Sequence, residues 1–297
     1  MTRLMFLLAC AGLAQADSIA YKYDDLNRLV KVDYGNGRTI SYSYDKDGNL
    51  LNRTVSGSGP ALTSGGIANA AGYQAGSVSP GEIVVLFGTG IGPTSLAGLQ
   101  LTPGGLVSSA VSGTRVLFDD IAAPLVYVSA TQTSAVVPYE VAGKSSTLLQ
   151  IEYQGVRSAA VALPVVDAVP GIFTVSGGGT GQISMLNQDG SFNSASVPAP
   201  KGSVVVFYAT GEGQTDPAGK DGLPATAVFP KPVLPVTVTI GGAPAEVVYA
   251  GAAPNFVAGV MQLNVRVPVE TAAGSAVPVA IAVGTIRSQA GTVMAVQ

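Results

Sequence analysis

Histidine and tryptophan are absent from this chain of 297 residues, and cysteine occurs once. Without imidazole there is no Ser-His-Asp or Cys-His catalytic site, and most zinc sites are excluded as well. Charge is scarce, at 11% Asp, Glu, Lys and Arg, against about 25% in an average protein. Fifteen basic residues face 18 acidic ones. That composition excludes charge-driven disorder, a long coiled coil and the basic surface that nucleic acid requires. No later segment nears the roughly 20 apolar residues of a membrane-spanning helix without meeting Gly, Pro or charge. No Gly-Lys-Ser/Thr is present, so a P-loop is excluded. What the chain does have is 38 Gly, 19 Pro and 47% hydrophobic residues, the ingredients of many short strands joined by turns.

The N-terminus is of a different kind. Met1-Thr2-Arg3 precedes an apolar run from Leu4 to Leu13, and Ala14-Gln15-Ala16 precedes Asp17. A basic start, a short apolar run and an A-x-A site predict a signal peptide over residues 1–16 and export to the envelope or the exterior. Leu7-Leu8-Ala9 before Cys10 leaves open a lipid anchor on that cysteine. Cleavage after Ala16 removes Arg3 and Cys10. The mature chain then carries 14 basic and 18 acidic residues and no possible disulfide.

Charge then divides the remainder. Residues 17–55 hold six basic and six acidic residues, while residues 56–297 hold eight and twelve. The junction, Ser56-Gly57-Ser58-Gly59-Pro60, predicts a linker over 56–65. Within the charged module, Tyr21-Lys22-Tyr23-Asp24-Asp25-Leu26-Asn27-Arg28-Leu29 recurs as Tyr42-Ser43-Tyr44-Asp45-Lys46-Asp47-Gly48-Asn49-Leu50. Tyr and β-branched residues alternate with polar ones, and Asn36-Gly37 and Asp47-Gly48 are hairpin signals. Two or three short antiparallel strands are expected. Asp45-Lys46-Asp47 is not a calcium loop, because the sixth and twelfth positions are Leu50 and Ser56 rather than Gly and Glu. The repeated motif resembles the YD repeat of the Rhs family, in which many copies build a large β-shell in secreted and surface proteins. Two copies cannot close such a shell, so the resemblance implies a stub or docking sheet and brings no toxin role.

A larger repeat follows. Residues 81–92 match 202–213, and Val116 to Tyr127 match Val238 to Tyr249. Gln132 with Val137-Pro138 and Glu140 matches Gln262 with Val267-Pro268 and Glu270, and Val156-Arg157-Ser158 matches Ile286-Arg287-Ser288. The offsets grow slowly from 121 to 130, as expected of a duplication covering 66–170 and 171–297. Each copy shows strand-like runs, such as Ile83–Phe87 and Thr114–Phe118, or Val204–Tyr208 and Val236–Ile240, bounded by turn residues. The fold expected is all-β: two tandem immunoglobulin-like β-sandwiches behind the YD-repeat hairpin module. Asn69-Ala70-Ala71, Pro80-Gly81-Glu82-Ile83-Val84, Pro170-Gly171-Ile172-Phe173 and Tyr208-Ala209-Thr210-Gly211-Glu212-Gly213 resemble an uncharacterised C-terminal domain of large secreted acidobacterial proteins, itself similar to IPT/TIG modules. That resemblance implies an envelope or extracellular place and supplies no catalytic residue.

The sequence offers few candidate sites. Gly88-Thr89-Gly90-Ile91-Gly92 follows an apolar strand, but Pro93 stands where a dinucleotide loop needs its last glycine. Asp119-Asp120 and its counterpart Gly241-Gly242 read as hairpin turns rather than as a carboxylate pair for glycoside hydrolysis. Tyr127 and Tyr249 read as core residues whose hydroxyls reach a partner. The polar loop Gly213–Pro224 interrupts the repeat, and Asp216, Lys220 and Asp221 are its candidates for contact with a glycan, a protein or an ion. No cofactor, metal or catalytic residue is expected. The functional expectation is an exported, non-catalytic interaction or adhesion module whose partner is a glycan or surface protein. The alternatives are a carbohydrate-active enzyme with a carboxylate pair and a purely structural secretion or anchoring module.

Overall fold

The computed structural model describes residues 19–34, 39–56 and 59–297. The expected signal peptide, with Cys10, and the Asn36-Gly37 turn lie outside the described residues. The fold is all-β, built of several sheets and one curled half-barrel sheet, with nearly all pairings antiparallel. A single turn of 3-10 helix, Tyr139–Val141, is the helical element among the described residues. No helix there is long and apolar enough to cross a membrane.

The first sheet is an antiparallel meander of β1 (Ala20–Tyr23), β2 (Leu29–Asp33), β3 (Thr39–Tyr44) and β4 (Leu50–Ser56). Both copies of the repeated motif use their aspartate in the same way. Asp24 Oδ1 accepts from the Leu26 and Arg28 amides, and Asp45 Oδ1 accepts from those of Asp47 and Asn49. The side chain thus stands in for a backbone acceptor and fixes the turn. These bonds hold both carboxyls below the usual range, led by the Arg28 amide at Asp24 and by the Asn49 side chain at Asp45. The copies interlock: the Arg28 guanidinium donates to the Asp45 carbonyl and lies 4.9 Å from the centre of the Tyr44 ring, whose hydroxyl donates to the Leu29 carbonyl.

The next strand, β5 (Ala61–Asn69), lies partly within the segment expected as a linker. The boundary is therefore shorter than 56–65. Gly65 adopts φ +69°, and the pairing register shifts between Leu62 and Ile67, so the glycines read as flexible in the sequence form an irregularity inside a strand. β5 joins β6 (Ile83–Thr89), β7 (Ala97–Gly98), β10 (Leu125–Val128) and β11 (Gln132–Val136) in the order β5-β6-β11-β10-β7. A facing sheet contains β8 (Thr114–Phe118), β9 (Ile121–Ala122), β12 (Ser146–Tyr153), β13 (Val156–Arg157) and β14 (Val161–Pro164). Leu86, Val84 and Ala135 from one sheet and Val116, Phe118, Leu149 and Ile151 from the other form one core. Asp119 and Asp120 adopt φ +49° and +67° in the β8–β9 hairpin, as expected of a turn, and Asp119 is held by Lys144, Thr147 and the Leu148 amide.

The second half opens with β15 (Gly171–Ile172), β16 (Gly181–Gln182), β17 (Met185–Leu186) and β18 (Val204–Thr210). A two-stranded ribbon of β19 (Thr215–Asp216) and β20 (Lys231–Pro232) follows. It closes with β21 (Val236–Ile240), β22 (Ala243–Ala252), β23 (Met261–Arg266), β24 (Gly274–Val283), β25 (Ile286–Arg287) and β26 (Thr292–Val296). The order β18-β23-β22 repeats β6-β11-β10, and β21-β24-β26 repeats β8-β12-β14. The second half nevertheless differs from two separate sheets. β22 runs for ten residues, shifts register between Val247 and Tyr249, and pairs with both β21 and β23, which makes one ten-stranded curled sheet. In the first half Pro124 stands between β9 and β10, where the second half has Glu246 in mid-strand. Proline donates no ladder hydrogen bond, so the first copy breaks where the second bends. The curled sheet encloses a core that includes Phe207, Ile240, Leu263, Ile281 and Met294.

Candidate functional site

The halves meet along a junction with its own small core of Ile83, Val136, Ala253 and Val260. Three backbone-shaped fits draw the chain together there. Gly211 adopts φ +81°, and a β-carbon on it would strike the Val169 carbonyl. The Val169 amide donates to the Gly211 carbonyl at 2.9 Å. Thr210 Oγ1 accepts from the Ile83 amide at 2.8 Å and donates to the Gly259 carbonyl at 2.7 Å. Asn69 is fully buried: its amide nitrogen donates to the Val169 carbonyl and to Glu82, and its oxygen accepts from the Ala71 and Gly72 amides.

Two carboxyls are buried at this junction. Glu82 Oε1 accepts from Asn69 at 3.0 Å, and Oε2 accepts from the Ser79 amide at 2.8 Å. Burial outweighs these bonds and raises the pKa from 4.5 to about 8, with Glu212 adding repulsion. Burial also raises Glu212, to about 7. Glu212 Oε2 has no hydrogen-bond partner. The Tyr139 hydroxyl is pushed well above its ordinary range by burial and by the nearby Glu212 and Asp221.

The polar loop singled out in the sequence closes over this region. The β19–β20 ribbon pins its base, and the Val233 amide donates to the Gln214 carbonyl. Its expected contact residues separate. Asp221 turns inward, where one carboxylate oxygen accepts from the Tyr139 amide at 3.0 Å. Desolvation raises its pKa to about 6, with Glu140 adding to the rise. Lys220 is exposed and lines the cavity beneath the loop, whereas Asp216 is exposed and does not line it. Gln214 donates to the Tyr139 carbonyl at 3.1 Å, and Gly219 lies so close to the Tyr139 ring that a β-carbon would overlap it. The cavity measures about 300 Å³. Glu212, Tyr139 and Thr215 supply polar groups to a wall otherwise built largely of Ala, Pro, Leu and Val.

Sequence reasoning found the loop but missed Glu82 and Glu212 as a buried pair. The available signal was the duplication: Glu212 occupies the position of Ile91, which is fully buried in the first copy. Tyr127 and Tyr249 do have partners, Gln132 donating to the first and the second donating to the Ala252 carbonyl. Among the described residues no cluster of Cys, Asp or Glu has the form of a metal site.

The architecture defines an all-β protein whose first sheet is made of tyrosine–aspartate repeats. A family model described as RHS Repeat matches residues 23–61, which take in β2, β3 and β4 of that sheet. No curated protein matches the chain.

Proposed function

We propose that the chain is an exported, non-catalytic interaction protein of the cell surface or exterior, with a glycan or surface protein as partner. In this reading the two large modules are immunoglobulin-like sandwiches, akin to C-terminal domains of large secreted proteins, and β22 is a corner strand passing between two layers. The observation that carries the interaction role is the RHS-repeat sheet. Among the described residues its outer strands β1 and β4 each have one neighbour, and Tyr21, Tyr23, Leu26, Leu50 and Leu51 are exposed on or beside them. Unpaired edges bearing aromatic and aliphatic side chains favour docking of another surface. Export rests on the N-terminal pattern of residues 1–16.

The competing enzyme reading rests on the buried glutamates. It is the weaker one, because Glu82 is satisfied by Asn69 and Ser79 and does not line the cavity that Glu212 lines. A glycan array probed with residues 17–297 tests the proposal. Binding to one sugar class that Y21S/Y23S weakens supports it. Hydrolysis of aryl glycosides that E212Q abolishes would overturn it in favour of the enzyme.

A further inference from the structure

The cavity under the loop that joins β19 to β20 is about 300 Å³, at the lower end of the roughly 300–1,000 Å³ used by small ligands. Its apolar wall continues to the surface, since the lining residues Leu223 and Val228 are 43% and 58% exposed. Glu212 sits in this wall at 3% exposure. Its Oε2 lacks a hydrogen-bond partner, and among the described residues no Lys or Arg stands within ion-pair distance of it. A buried carboxyl oxygen left without a partner is costly, and native structures rarely leave one so.

We propose that this cavity binds a small amphipathic amine, with its ammonium on Glu212 and its hydrocarbon stem against Leu223 and Val228. An ammonium supplies both charge and several donors to the free oxygen, whereas an alcohol brings one donor and no charge. An anion is opposed by Glu212 and by Asp221 and Glu140 close to Tyr139. Glu212 acts on Glu82 across the junction, and Lys220 at the wall is the opposing cation. A bound cation also offsets the desolvation cost that raises Glu212 to about 7, so affinity increases as the pH rises through neutrality. The site lies outside the RHS-repeat sheet, so it stands or falls separately from the adhesion reading.

Isothermal titration calorimetry with n-hexylamine hydrochloride tests the assignment, with n-hexanol and sodium hexanoate as controls. The expected result is saturable binding of the amine that tightens from pH 5.5 to pH 8. The alcohol should bind about tenfold more weakly, the scale of a charge-assisted bond, and the carboxylate should not bind. E212Q should weaken the amine by about tenfold. Because E212Q alters a buried group, A218F provides the second variant: Ala218 is an exposed lining residue, so the ring fills the mouth without touching the core. A218F should abolish binding at an unchanged melting temperature. Comparable binding of the three probes, amine binding that survives both variants, affinity that falls with rising pH, or no saturable binding would each overturn the proposal.

Discussion

At the scale of single residues, the junction ties stability to pH. Glu212 ionises near 4.5 in the unfolded chain and near 7 in the folded one. The folded state therefore holds the proton more tightly. Its contribution is complete below pH 4.5, falls as the pH rises toward 7, and is gone above it. For Glu212 alone the change is about 3 kcal/mol, and Glu82 adds a loss of the same sign extending to about pH 8. The urea midpoint should accordingly fall between pH 5 and pH 8, and E212Q should remove about a third of that fall, Glu82 and Asp221 carrying the rest. A slope unchanged in E212Q would show that the carboxyl does not titrate as its burial requires. The sequence revealed little of this, because a glutamate between two glycines reads as a polar turn. Its environment comes from residues far along the chain, the Val169 carbonyl packed on Gly211 from about 40 positions back and Glu82 from 130.

At the scale of elements, strands were legible wherever hydrophobic runs were bounded by turn residues. The runs Ile83–Phe87 and Thr114–Phe118 lie in β6 and β8, and Val236–Ile240 is β21. The two-residue strands and β5 were not legible, since Ala61–Asn69 contains Gly65-Gly66 and owes its pairing to β6 rather than to its own propensity. The loop between β19 and β20 was legible as an insertion, but not its docking. That docking depends on glycine at 219, against the Tyr139 ring. G219A should push the loop off Tyr139 and destabilise the protein by about 1–3 kcal/mol, the usual scale of overpacking. Amide exchange at Val107, which donates to the Gly222 carbonyl, should quicken in the same variant. Unchanged exchange and stability would mean that the loop is not held by this contact.

At the scale of the whole molecule, the duplication predicted two modules, and the strand order β6-β11-β10 recurs as β18-β23-β22. It did not predict how firmly they join, because a repeat pattern records each copy's own strands and not the contacts between copies, such as those of Thr210 with Ile83. Asn69 connects the end of β5 to Glu82 and to Val169 ahead of β15. N69A strips bonds from buried groups and should cost about 2–4 kcal/mol. Calorimetry should show one transition for the two large modules of the native chain and a broadened or divided one for N69A. Two separated transitions in the native chain would show that the junction does not couple them.

The exchange of Ile91 for Glu212 at matching turns has a further meaning. In the first copy the position faces hydrocarbon, and an ionisable group there would unsettle the core. In the second it faces the seam and a cavity. Writing one turn twice removes a conflict that a single copy could not escape. One version keeps the packing, and its twin is released to hold a proton where the first could not.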